Sequence, residues 1–167
     1  NENVYEAALA SDSNTFLALY NGSITAYKAA IFNQLLIPKE HLDRLSHSPK
    51  FNAFVYNTVQ NDKLGTVQKS LLHVNPSLQV NAKSLFYLGL NALKYDEKEK
   101  ALNFFELSFE RATKSEEKDK ALFWEYLVTK ERRFLERMVQ DSDINMYSLF
   151  AYETLDIPYQ NIVSPLL

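Results

Sequence analysis

Apolar residues recur along this chain at intervals of three and four nearly throughout, which predicts helices from one end to the other. Early segments are TFLALYNG (15–22) and SITAYKAAIFNQLLIP (23–38). Gly22 supplies a stop for the first, and the Ser23 hydroxyl is placed to cap the second. Ile24, Tyr27, Ile31 and Leu35 fall on one stripe of that second helix and are expected to face a core. Pro38 ends it or begins the next, KEHLDRLSH (39–47). Ser48-Pro49 and Asn75-Pro76 each set a capping side chain before a proline, the order expected at a helix start. FNAFVYNTVQ (51–60) and KLGTVQKSLLHV (63–74) lie between them. Helices of about 8 to 18 residues with short connections make a pattern of stacked helix pairs.

Residues 82–114, AKSLFYLGLNALKYDEKEKALNFFELSFERATK, form the clearest pair. A tetratricopeptide repeat has a period of about 34 residues, with a Trp-x-x-Leu-Gly-x-x-Tyr and then an Ala-x-x-x-Phe pattern. Leu88-Gly89 and Ala101 with Phe105 match it; Leu85 stands in the Trp place and Ala92 in the Tyr place. Gly89 and Ala101 are small where two antiparallel helices would cross, and Phe105 would fill the groove beside them. YDEKEK is the turn. Ser115 is placed to cap the next helix, with Glu116 and Glu117 in its first turn, where acids suit the helix dipole. Trp124, Leu127 and Val128 are its expected inner stripe, and Phe134, Leu135 and Met138 that of its partner. A turn is required near residues 130–133, although no glycine or proline marks it.

Three glycines and five prolines are too few for a turn-dense β fold. The predicted class is therefore all-α: a superhelix, or solenoid, of antiparallel tetratricopeptide-like helix pairs. At 167 residues, 1–167 is read as a single domain or piece of one. Eighteen basic residues against 21 acidic ones leave a net charge of −3, with bases interleaved among acids, so nucleic acid is not an expected partner. With no cysteine, disulfides and cysteine-based zinc sites are excluded. No apolar run approaches the roughly 18 residues of a membrane span. The opening Asn1-Glu2-Asn3 has neither an initiator methionine nor a leader pattern, and reads as a processed protein or part of a longer one.

Candidate chemistry is sparse. His41, His47 and His73 fall in no ligand spacing and read as solvated or helix-end residues. There is no phosphate-cradling glycine loop and no nucleophile motif. The acids of YDEKEK and KSEEKDK read as solvated turns. No catalytic, cofactor-binding or metal-binding residue is assigned, and no cofactor is expected. Ten tyrosines, eleven phenylalanines and one tryptophan could stack on sugars, but rings at helical spacing, such as Phe104, Phe105 and Phe109, more simply fill a core. Asn21-Gly22-Ser23 matches a glycosylation sequon, although the same letters serve as a helix stop and restart.

INMYSLFAYETLDIPY (144–159) adds a more specific clue. Helix pairs leading into Tyr-Gly-x-x-Ala-x-Glu-x-Leu-Gly and a short proline-bearing segment are characteristic of the soluble lytic murein transglycosylases, which this stretch resembles. Tyr147, Ala151, Glu153 and Leu155 match, while Ser148 and Asp156 stand where that family usually has glycines. KALFWEYLVTKERRFLERMVQDSD upstream resembles the preceding helix pair, with Ala121 and Trp124 at its Ala-x-x-Trp step. With the repeat from residue 82, the similarity covers 82–159. In that family an α-superhelical region precedes a lysozyme-like domain, which cleaves the N-acetylmuramic acid–N-acetylglucosamine bond to a 1,6-anhydro product. One glutamate, in a Glu-Ser motif, does the acid/base work there. This sequence has no Glu-Ser dipeptide, and Glu153 matches a structural motif rather than the catalytic one.

The resemblance thus implies a non-catalytic, periplasmic accessory domain. It would position peptidoglycan glycan strands or other cell-wall proteins for a catalytic domain outside these residues. A freestanding tetratricopeptide-like adaptor that binds peptide segments is the alternative. An enzyme on an unfamiliar helical scaffold is the third reading, and no motif supports it.

Overall fold

The computed structural model describes residues 2–140 and 143–158. Asn1, Asp141, Ser142 and Tyr159, which belong to stretches quoted above, lie outside them, as do residues 160–167. The described residues form eleven α-helices and no strand. These are α1 (Glu2–Ala10), α2 (Ser13–Gly22), α3 (Thr25–Phe32), α4 (Lys39–Leu45), α5 (Phe51–Val59), α6 (Gly65–Ser70), α7 (Ala82–Lys94), α8 (Lys98–Arg111), α9 (Ser115–Thr129), α10 (Arg132–Met138) and α11 (Met146–Thr154). A 3-10 turn, Leu71–His73, extends α6. The all-helical expectation is met, with several helices shorter than the apolar pattern predicted.

α7 and α8 are the most intimately packed pair. They run antiparallel: the Ser108 hydroxyl near the end of α8 donates to the Ala82 carbonyl at the start of α7 (2.7 Å). Between these ends Gly89 faces the Phe105 ring, and a Cβ on Gly89 would sit 2.6 Å from Phe105 Cδ1 and closer still to Cε1. The missing side chain is what lets the ring lie against the α7 backbone. Ala92 and Ala101 are fully buried near the turn. The small residues singled out in the sequence therefore sit at the crossing.

The spacing of helices is regular in the second two-thirds of the chain. α5, α7, α9 and α11 begin at Phe51, Ala82, Ser115 and Met146, steps of 31, 33 and 31 residues. α6, α8 and α10 begin at Gly65, Lys98 and Arg132, steps of 33 and 34. Polar ties follow the same interval. Asn33 Oδ1 accepts from the Thr66 amide, Asp43 Oδ1 from the Asn75 amide, and Asn52 Oδ1 from the Asn81 amide and the Ser84 hydroxyl. The Arg111 guanidinium donates to the Ser77 and Val80 carbonyls. All but the Ser84 hydroxyl bond satisfy a loop or helix-end backbone group that would otherwise be unpaired.

The larger apolar cluster runs from Tyr5 to Phe105, with the Tyr20 ring in contact with those of both Phe32 and Phe54. A smaller one gathers Leu122, Phe134, Leu135, Met138, Ala151 and Leu155. α9 bridges the two. Trp124 and Val128 pack on the first cluster, while Phe123 and Tyr126 pack on the second.

Several local expectations are corrected. α3 stops at Phe32 and uses Ile24 as its N-cap, so Leu35 lies beyond the helix. Ile24 and Leu35 are consequently 74% and 55% exposed, and of the predicted stripe only Ile31 is buried. Lys28 shares the buried face with Ile31 and Phe32, its ammonium 5.0 Å from the Tyr20 ring centre. Ser23 caps the end of α2 rather than the start of α3, its hydroxyl donating to the Leu19 carbonyl. Pro38 opens α4. Ser48 does accept from the Lys50 amide ahead of α5, but no helix follows Asn75-Pro76; Asn81 is the residue that caps α7. Ser115 is the first residue of α9, and its hydroxyl donates to Asp143 instead of capping. On α9 the deeply buried positions are Asp119, Ala121, Leu122 and Glu125, with Trp124, Leu127 and Val128 only partly covered. The unmarked turn falls where expected, at Lys130–Glu131.

Candidate functional site

Two arrangements bring together side chains that are far apart in sequence. The first is an acid pair between α8 and α9. Glu125 is 3% exposed, in the middle of ALFWEYLV, and its Oε1 has no hydrogen-bond partner. Glu106, half-buried on α8, lies within hydrogen-bonding reach of it and is gripped by both terminal nitrogens of Arg137 on α10 (3.1 and 3.3 Å). Burial, then the charge of Glu106 and the bond to it, push the Glu125 carboxyl up to about 8. Burial also works to raise Glu106, but the bonds from Arg137 and Glu125 and the Arg137 charge outweigh it and lower it. The opposed shifts favour a proton on Glu125 beside a Glu106 ionised against Arg137. Carboxyls this close leave no room for a sugar ring between them, since glycosidic acid/base pairs stand about 5–9 Å apart.

The second arrangement is a cleft of about 120 Å³ walled by α7, α8 and α9. Lys83, Phe86 and Tyr87 line it from α7, Ser108 from α8, and Glu117 and Lys120 from α9. Lys83 Nζ lies 4.6 Å from the ring centre of Tyr56 on α5, and Lys120 Nζ 4.3 Å from that of Phe86. Rings continue along the same helices: Tyr56 contacts Tyr87, and Phe86 contacts Trp124. On the far side of α9, Phe123 meets Tyr147 and Phe150 of α11. A larger groove of about 330 Å³ lies between the 72–76 segment and α8. Its lysines are already engaged, Lys39 with Asp43 and Lys100 with the Leu72 carbonyl.

The sequence reading proposed no site residue, and it missed both arrangements. Their members lie on different helices, so no local spacing reveals them. One signal was present for the acid pair: Glu125 is the lone charge in an eight-residue apolar run. His41 packs against Arg44 on α4, His73 against Lys100, and His47 is exposed. Among the described residues no group of three or more histidines, aspartates or glutamates is placed to hold a metal ion. No described helix is long and apolar enough to cross a membrane.

α11 carries the residues of the transglycosylase-like stretch. Ala151 and Leu155 face the smaller cluster, Tyr147 packs beside them, and Glu153 is exposed. Asn145 and Ser148 form a reciprocal capping box at its start. At its end Asp156 takes a left-handed conformation (φ 56°), and the Ile157 amide donates back to the Tyr152 carbonyl.

No protein-family model matches this chain, and no curated protein sequence matches it.

Proposed function

We propose that this chain is an accessory α-superhelical domain of a periplasmic peptidoglycan lytic transglycosylase, positioning glycan strands or partner proteins for a lysozyme-like catalytic domain outside these residues. The observation that carries the reading is the setting of α11. Ala151 on α11 and Leu155, which caps its end, match the family stretch and pack into the smaller cluster. Asp156 occupies the left-handed position after the helix that a glycine serves best, and glycine is what the resembling family has there. Ser148, the other departure, finds use in the capping box. The helix steps of 31–34 residues support a superhelix of tetratricopeptide-like pairs, because each pair added at a fixed interval contributes a similar rotation. The left-handed residues Asp96 and Lys130, which follow α7 and α9, are 34 positions apart and mark the same point in consecutive pairs.

The test is to mix the purified chain with sacculi and follow both pelleting and soluble anhydro-muropeptides. Co-pelleting without release is the expected result. Release by the isolated chain would overturn the non-catalytic assignment, and a chain left wholly in the supernatant would remove glycan positioning from it. A second reading, a peptide-binding adaptor, is favoured by one observation: the lysine-flanked cleft between α7 and α9.

A further inference from the structure

The α7–α9 cleft has a charge pattern that selects its ligand. Lys83 and Lys120 stand on its two helical walls, and the ammonium of neither forms an ion pair or hydrogen bond with any described residue. The other lysines compared above are engaged; these two rest only on aromatic rings. Tyr87 Oη accepts from Gln60 Nε2 (3.0 Å), which leaves its own proton to donate. The Ser108 hydroxyl proton is committed to the Ala82 carbonyl, so this oxygen is left only as an acceptor. Glu117 is the single acid in the lining, against two ammoniums. On a chain of net charge −3, the cleft is a local excess of positive charge.

We propose that this cleft receives an acidic side chain of an extended peptide segment, with Lys83 and Lys120 flanking the carboxylate and Tyr87 donating to it. The cavity, about 120 Å³, has room for a carboxylate and its methylenes. Tyr56 and Phe86 each carry an ammonium on a ring face, so the cleft presents charge where a neutral sugar would need bare ring. Charge complementarity at such a rim sets partner choice and association rate. The partner is thus a protein with an exposed acidic strand or tail. This inference rests on the adaptor reading and not on the transglycosylase resemblance.

A random peptide-display library panned on the whole chain, in parallel with the Lys83→Gln/Lys120→Gln variant, tests it. The expected result is enrichment of one Asp or Glu position, lost with the double variant and retained with Lys83→Arg/Lys120→Arg. For a synthesised winner, each single glutamine should weaken binding about tenfold, as expected for losing one charge-assisted contact. The Lys98→Gln control on α8 should change nothing. Enriched peptides without an acid, or acidic ones that bind the double variant equally, overturn the cleft assignment while leaving the adaptor reading standing. No enrichment at all overturns both. Binding of an N-acetylglucosamine tetramer that is weakened by the double variant would assign the cleft to sugar and also overturn the proposal.

Discussion

Replacing Glu125 by glutamine should remove a specific pH dependence from the stability of the fold. The Glu125 carboxyl titrates at about 8 in the folded chain, against an ordinary value of 4.5. Across that window the folded state holds a proton that the unfolded state has released. The contribution is fully present below the unfolded value and is lost as pH rises through the folded one. Linkage sets the slope at about 1.4 kcal/mol per pH unit, so roughly 3 kcal/mol has been lost by pH 7. Glu106 shifts the other way, so its contribution is lost only as pH falls below 4.5 and does not overlap. Glutamine keeps the shape, donates to Glu106 as the carboxylic acid does, and does not titrate. The two proteins should therefore be nearly equal in stability near pH 4.5, and the glutamine variant should lead by about 3 kcal/mol at pH 7, or about 6–12 °C in Tm for a chain of this size. Urea melts of both from about pH 5 to about pH 8 read the difference directly. Parallel pH profiles would refute the reasoning, because they would mean that Glu125 titrates normally in the fold.

Two further substitutions test the α7–α8 crossing. Gly89→Ala would drive a methyl into the Phe105 ring and should destabilise by about 1–3 kcal/mol in urea melts, with much of the loss recovered in a Phe105→Leu background. Phe105→Ala should cost about 3–5 kcal/mol, since the ring is fully buried. Trp124→Ala should cost clearly less, because Trp124 is only partly covered. Equal losses for the two would contradict the burial seen here.

The helical class, the α7–α8 pair, the small residues at its crossing and the turn near residue 130 were all legible in the sequence. They are local: a 3.6-residue period decides a helix, and a glycine opposite a phenylalanine four residues after a small alanine decides how closely two neighbours approach. The repetition was legible as one clear copy at 82–114 with weaker, degenerate ones on both sides, and the placed helix ends give its steps of 31–34 residues. What only the tertiary structure decided is which residues from different helices meet. Glu106 and Glu125 are 19 positions apart on separate helices, and Lys83 and Lys120 are 37 apart. Burial, their mutual approach and the Arg137 charge together turn the first pair from two ordinary acids into one raised and one lowered carboxyl. Ile24 and Leu35 show the converse: an apolar stripe drawn on an uninterrupted helix becomes surface once the helix stops at Phe32. Periodicity records where a chain prefers to coil; desolvation and charge pairing exist only after the coils have packed.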